Sequence, residues 1–243
     1  MKIRGVKKRL IDFLCGEASN EKVRNNWISG QLAKLEEGNK ILDAGAGELR
    51  WKEACSHLRY VSQDFCGYNG AGNTEGLQTG QWNTEKIDIV SDIINIPVAD
   101  NSFDAILCSE VLEHIPYPEK AIKEFSRILN PGGVLLLTAP FGSLTHFAPY
   151  HFASGFNKYW YEKCLMDYGF QIETIEQNGG YFDYLRQEIM RVPSISERYI
   201  AKPSFLARVC CIIMVSILER MARKDKDSGE LLTFGYMVRA VKL

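Results

Sequence analysis

A short apolar run that ends in an acid and two closely spaced glycines is the feature that most constrains this chain. The segment ILDAGAG occupies residues 41–47, so Asp43 ends the run and is followed by Gly45 and Gly47. This pattern predicts a buried strand and then a tight turn, where glycine tolerates backbone conformations that other residues avoid. Because ligands of open α/β sheets bind at the carboxyl ends of strands, the segment predicts a cofactor loop.

The spacing of the glycines argues against a dinucleotide-binding loop. That loop has the pattern G-x-G-x-x-G, and its third glycine would fall where the sequence has Arg50. A nicotinamide-dependent oxidoreductase is therefore disfavoured but stays open as an alternative. The remaining pattern, an acid two residues before the first of two glycines, resembles motif I of the class I S-adenosylmethionine (SAM) methyltransferases.

Further segments predict an alternation of strands and helices, which is typical of a parallel sheet with right-handed crossovers. Residues 59–64 predict a second strand that ends at Asp64, about 20 residues beyond the glycines, where a ribose-binding carboxylate is expected. Residues 86–97 predict a third strand ending near Asp92. The block SFDAILCSEVLEHI predicts a fourth strand and the start of a helix, and LNPGGVLLLTAP predicts a turn and a fifth strand.

Together these segments resemble the class I SAM methyltransferases from position 41 to about 141. The resemblance implies an α/β, Rossmann-like doubly wound sheet of seven strands, the last antiparallel, with helices on both faces. It implies SAM as the cofactor, with Asp64 on the ribose hydroxyls and with Asp92 and Ile93 at the adenine. The cofactor-binding residues that it implies are Asp43, Gly45, Gly47, Asp64, Phe65, Asp92, Ile93, Ser109 and Glu110.

Length and periodicity predict one domain over residues 1–243. Residues 1–40 are expected to form a helical cap, whose basic amphipathic start packs on the core or, alternatively, lies on a membrane surface. Residues 41–177 form the predicted core, residues 178–230 a helical insertion and residues 231–243 the final strand.

The segment after the fifth strand predicts the pocket for the methyl acceptor. Residues 141–156 are rich in aromatic side chains and follow no regular period, which indicates a loop. In a doubly wound fold this loop lies above the cofactor, where polar and aromatic groups form a pocket. His146 and His151 are the candidate general bases, because imidazole titrates near neutral pH. His114 is expected to support the loop instead.

Composition and the insertion limit the partners. The net charge of −1 gives no basic field that would attract nucleic acid. An apolar helix over residues 205–221 is too short in its uninterrupted core to span a bilayer. We expect it to pack on the domain or against a second subunit of a homodimer, with peripheral membrane contact as the second interpretation. The seven cysteines show no metal-ligand spacing, so no metal is predicted, and with no signal peptide the cytoplasm is favoured.

The sequence therefore predicts a SAM-dependent methyltransferase that acts on a small molecule or a carrier-linked glycan, at oxygen. A sugar is named because the chain, with its segment NGGYFDYLRQE, resembles methyltransferases encoded with bacterial surface-polysaccharide synthesis enzymes. A quinone, a lipid or a nitrogen centre is the alternative acceptor. A SAM-binding module without catalysis is the alternative function.

Overall fold

The computed structural model describes residues 20–243. The amphipathic helix predicted at the start of the chain lies outside the described residues. The helices are α1 (Asn20–Leu32), α2 (Pro118–Ile128), α3 (Lys158–Asp167), α4 (Tyr181–Tyr199) and α5 (Phe205–Ala222). The strands are β1 (Lys40–Ala44), β2 (Arg59–Asp64), β3 (Ile89–Val90), β4 (Phe103–Ser109), β5 (Leu129–Pro140), β6 (Phe170–Gln177) and β7 (Gly235–Lys242).

The seven strands form one sheet in the order β3-β2-β1-β4-β5-β7-β6. Strand β1 pairs in parallel with both β2 and β4, and β7 pairs antiparallel with β5. The predicted doubly wound sheet with an antiparallel last strand is confirmed. The winding direction reverses between β1 and β4, and such a switch point is where open α/β sheets bind ligands.

The central strands are apolar on both faces because helices cover the sheet from both sides. Successive residues of a strand point to opposite faces, so the core has two layers. The layer beneath α2 and α3 contains Leu42, Ile106, Leu137, Phe125 and Leu165. The layer beneath α1 contains Ile41, Leu107, Leu136, Ile28 and Leu32.

Two strands differ in detail from the sequence prediction. The third strand contains only Ile89 and Val90, because β3 lies at the edge of the sheet and pairs with β2 alone. Residues 130–133 do not form a separate turn. They belong to β5, as an irregularity in which Phe103 pairs with Leu129 and Ala105 already pairs with Val134.

The chain divides into two compact units. One comprises residues 24–176 and 235–243, and the other includes residues 20–23 and 177–234. The predicted insertion, residues 178–230, falls within the second unit, where α4 and α5 pack on each other. Helix α5 begins with the Ser204 hydroxyl oxygen accepting a hydrogen bond from the backbone N–H of Ala207. Within residues 20–243, no helix is both long enough and apolar enough to cross a membrane.

Candidate functional site

A cavity of about 940 Å³ lies at the carboxyl ends of β1, β2 and β4. All nine residues for which the sequence implied cofactor contact line this cavity. They are Asp43, Gly45, Gly47, Asp64, Phe65, Asp92, Ile93, Ser109 and Glu110. The fold brings them together because the ends of neighbouring parallel strands meet at one edge of the sheet. Their contact with a cofactor stays a prediction.

The loop after β1 needs both of its glycines. Gly45 and Gly47 have φ values of +76° and +52°, a region that residues with a side chain rarely adopt. A Cβ at Gly45 would lie 2.5 Å from a methyl group of Val111, and a Cβ at Gly47 would lie 2.6 Å from the Trp82 ring. The glycines are therefore required by the walls of the cavity as well as by the turn.

Asp64 is held rigidly at the end of β2. Its side chain is buried, its Oδ2 accepts a hydrogen bond from the backbone N–H of Gly47 at 3.0 Å, and its Oδ1 accepts one from Cys66 at 2.8 Å. Each carboxylate oxygen has a further lone pair. Asp64 can therefore accept two hydroxyl protons from a ligand without losing its bonds to the loop.

Asp43 lies deeper in the same wall and is also buried. The Tyr60 hydroxyl donates a hydrogen bond to its Oδ2 at 2.5 Å. Burial raises the pKa of Asp43 to about 7; the bond from Tyr60 lowers this pKa, and the nearby Asp64 carboxylate raises it. A cation bound in the cavity would favour the ionised form of Asp43, because an opposite charge stabilises a carboxylate.

One end of the cavity suits a flat apolar group. The Phe65 ring is 47% exposed and meets the Tyr150 ring edge-on, with 5.0 Å between the ring centroids. Ile93 is buried and also lines the cavity, and the Asp92 carboxylate accepts a hydrogen bond from the backbone N–H of Ile94 at 3.1 Å. These groups offer apolar surface and a carboxylate in the place where the adenine is expected.

Glu110 joins β4 to α1. Its backbone has a φ of +56°, which is uncommon for a residue with a side chain. Its carboxylate accepts a hydrogen bond from the Thr138 hydroxyl at 3.0 Å and forms an ion pair with Arg24 at 3.0 Å. The Ser109 hydroxyl lies 2.9 Å from the Thr138 hydroxyl. Both predicted cofactor residues are thus tied to neighbouring elements.

The histidines are arranged differently from the sequence prediction. His146 and His151 lie in the predicted loop, but His114, expected only to support that loop, is the histidine that lines the cavity. The His146 ring centroid lies 4.7 Å from that of His114 and 4.8 Å from that of His151. The two candidate bases therefore lie next to the cavity wall, in contact with His114.

Burial controls the charges in this cluster. Burial, with a smaller contribution from the neighbouring His146, lowers the pKa of His114 to about 3. Burial and His146 also lower the pKa of His151. Burial and, secondarily, the Glu110 charge raise the pKa of Glu113 well above its usual range. His114 and His151 are therefore neutral imidazoles at neutral pH.

The sequence reading missed the aromatic wall supplied by residues 66–88. Tyr68 stacks on Phe147 with 4.4 Å between ring centroids, and Trp82 meets Phe147 edge-on at 5.5 Å. All three rings line the cavity. The sequence signal for this wall is the presence of aromatic residues in a stretch rich in glycine and asparagine. The segment has no helix or strand period, so their position at the cavity could not be predicted.

The central part of the chain is similar to known methyltransferases. Residues 42–137 match the family model described as a methyltransferase domain. Demethylmenaquinone methyltransferase of Paenarthrobacter aurescens is 35% identical over 103 residues, which cover 41% of this chain and 38% of that protein. Ubiquinone biosynthesis O-methyltransferase of Leptothrix cholodnii is 27% identical over 119 residues, which cover 48% of this chain and 50% of that protein. The chain thus spans half or less of the length of these curated relatives.

Solved structures agree with the fold. Phosphoethanolamine N-methyltransferase 2 of Haemonchus contortus, in complex with phosphomonomethylethanolamine and S-adenosylhomocysteine, has a TM-score of 0.51 and 19% identity. The alignment covers 90% of this chain and 52% of that chain. At this identity the likeness shows the fold alone. Sequence match and fold together support SAM as the cofactor, and residues 42–137 are similar to a methyltransferase domain.

Proposed function

We propose that the whole chain is a SAM-dependent methyltransferase that methylates a hydroxyl group of a small molecule or a carrier-linked sugar. The observation that carries this proposal is the cavity at the switch point of the sheet, around which all nine motif residues gather. The matched methyltransferase domain supports the same cofactor.

The size of the cavity supports a site for two ligands. At about 940 Å³ it lies near the upper end of the usual range for small-molecule sites, roughly 300–1,000 Å³. The sulfonium methyl of SAM is already electrophilic, so the protein mainly has to hold the acceptor in line with it. Such positioning contributes on the order of 7–11 kcal/mol to lowering a barrier.

The histidine cluster supports oxygen as the acceptor atom. A hydroxyl must lose its proton during methyl transfer, and a neutral imidazole can accept that proton. His114 lines the cavity, and His146 and His151 lie directly behind it. A nitrogen acceptor with a free lone pair would have less need of these groups.

A quinone or lipid acceptor is the second candidate. The curated relatives include proteins named for demethylmenaquinone and for ubiquinone biosynthesis. In α5, Phe205 and Leu206 are 83% and 70% exposed, and Ile213 is 54% exposed. An exposed apolar helix surface of this kind marks a contact with a membrane or with a second copy of the chain.

The location and other partners complete the proposal. The cysteines among the described residues are free thiols, which supports a reducing cytoplasm. The balanced net charge of −1 supports a small-molecule acceptor over nucleic acid.

The test separates the acceptor classes. The full chain is incubated with methyl-labelled SAM and either an aqueous glycan and metabolite extract or a lipid extract, and methylated products are identified by mass spectrometry. A labelled hydroxyl in the aqueous fraction supports the proposal, whereas a labelled quinone or lipid selects the second candidate. Asp64→Ala is the matched inactive control. No labelled product in either fraction, from a protein that binds SAM, would argue for a binding module.

A further inference from the structure

Three of the four histidines in the chain share one cluster with a buried carboxylate. The Nε2 atoms of His114 and His146 lie 3.8 and 3.9 Å from the same oxygen, Oε1 of Glu113. One donor atom from each of these residues lies within 4.8 Å of the others. Two imidazole nitrogens and one carboxylate oxygen therefore face a common point.

Backbone carbonyls orient both imidazoles. Nδ1 of His114 lies 2.5 Å from the carbonyl oxygen of Tyr150, and Nδ1 of His146 lies 2.9 Å from that of Leu144. A carbonyl can only accept, so in each ring Nδ1 carries the proton and Nε2 of the neutral ring has a lone pair. Histidines that bind a metal through one ring nitrogen typically donate a hydrogen bond from the other, here Nδ1. This bond fixes both the tautomer and the ring orientation.

Within the described part of the chain, the Glu113 carboxylate has no hydrogen-bond donor. Its side chain is 1% exposed, and among residues 20–243 neither carboxylate oxygen has a hydrogen-bond partner. Its backbone is held in place, since the carbonyl oxygen accepts bonds from Phe152 at 2.9 Å and Ala153 at 3.2 Å. A buried carboxylate facing two nitrogen lone pairs is unfavourable unless a cation or a proton lies between them.

We propose that Glu113, His114 and His146 bind a divalent transition-metal ion at the wall of the cavity. Two imidazoles and one carboxylate form a ligand set used for zinc, whereas magnesium and calcium prefer oxygen ligands alone. Ligands at about 2.1 Å from a tetrahedral zinc ion lie roughly 3.4 Å apart. The present separations of 3.8 and 3.9 Å between each imidazole and the carboxylate need a small contraction, and the three donor atoms, which all lie within 4.8 Å of one another, must move closer together to bind one ion.

The ion would have an open position toward the acceptor. Three protein ligands leave a fourth position of a tetrahedral ion for water or substrate, as in catalytic zinc sites. His114 lines the cavity, so this position lies near the site proposed for the acceptor hydroxyl. A metal ion lowers the pKa of an oxygen that it binds. This role rests on the proposed function, but metal binding itself does not.

The same cluster could instead hold a proton between Glu113 and one imidazole. No metal would then bind, and the arrangement would be a hydrogen-bonded support for the loop. The cysteine pattern, which led us to expect no metal from the sequence, does not bear on this choice, because all three ligands are supplied by other residue types.

The test is metal binding by the full chain after chelator treatment, without SAM or acceptor. Co²⁺ is added and followed by visible absorption, and Zn²⁺ affinity is measured by calorimetry. We expect one ion per chain, with a Co²⁺ spectrum of nitrogen and oxygen ligation that lacks thiolate charge-transfer bands. His146→Ala should weaken binding by at least about 100-fold, since even changes behind the ligands cost 10–100-fold. Glu113→Gln, which keeps the side-chain shape, carries the same expectation if His146→Ala does not fold.

His57→Ala is the matched control, because His57 is the one histidine of the chain outside the cluster. It should bind the ion with wild-type affinity. Absence of binding, thiolate bands, or equal affinity in the cluster variants would overturn the proposed site. SAM affinity, measured in the same preparations, tests the proposed function separately.

Discussion

Replacement of Asp64 by alanine tests the cofactor assignment most directly. The carboxylate is predicted to accept both ribose hydroxyls, and hydrogen bonds to a charged group contribute about 1.5–3 kcal/mol. Since each 1.4 kcal/mol is a factor of ten in affinity, Asp64→Ala should weaken SAM binding by roughly 10- to 150-fold. Isothermal titration calorimetry with SAM measures this change.

The structure predicts a second effect of the same substitution. The backbone N–H groups of Gly47 and Cys66 lose the acceptors that now lie at 3.0 and 2.8 Å. An unsatisfied buried donor costs about 1–3 kcal/mol, so the glycine loop should loosen and the free energy of unfolding should fall. Thermal unfolding separates this loss from the loss of ligand contact.

Asp88→Ala is the matched control for Asp64→Ala. The Asp88 carboxylate also accepts two hydrogen bonds at the start of a strand, from the backbone N–H of Ser62 at 2.9 Å and from its hydroxyl at 2.7 Å. Asp88 does not line the cavity. We expect reduced stability with unchanged SAM affinity. Wild-type SAM affinity in a folded Asp64→Ala protein would refute the ribose assignment.

Three further predictions concern the same cavity. Gly45→Val and Gly47→Val should abolish SAM binding measured by calorimetry. The new side chains would collide with Val111 and Trp82, and both positions have a positive φ that valine rarely adopts. Normal SAM binding would contradict the assignment of this segment as the cofactor loop. His146→Ala or His151→Ala should keep SAM affinity and lower the turnover of labelled methyl groups by about 10²–10⁴-fold. Wild-type turnover in both variants would show that these histidines only support the loop. SAM affinity should rise as pH increases through about 7, because Asp43 ionises there and attracts the cationic cofactor, whereas Asp43→Asn should show a flatter profile.

Local signals in the sequence were sufficient to predict most elements of the fold. Residues 59–64 form the predicted second strand, and α2 begins at Pro118 with its apolar positions buried. Proline at the first helical position and apolar residues at helical spacing act within a few residues. The edge strand β3 was predicted too long, because its length depends on its neighbours in the sheet.

The predicted cofactor residues line one cavity for a related reason. Each of Asp43, Asp64 and Ser109 stands at or beside the carboxyl end of a strand, and the alternation of strands and helices makes these strands parallel neighbours. The strand ends therefore meet, however far apart they lie in the chain. No such rule predicts the position of residues 66–88, because they lie outside the regular strands and helices. Their path depends on contacts such as that between Tyr68 and Phe147.

The positions of the three clustered histidines could not be predicted from their spacing in the sequence. His146 and His151 belong to a loop without a period, and the orientation of that loop depends on the bonds from Phe152 and Ala153 to the Glu113 carbonyl. These bonds join the loop to the turn after β4, so His114 forms the cavity wall and the other imidazoles lie behind it. An acceptor in the cavity would therefore meet His114 first, and we expect His146 to act through His114 or through the proposed ion that these two residues bind.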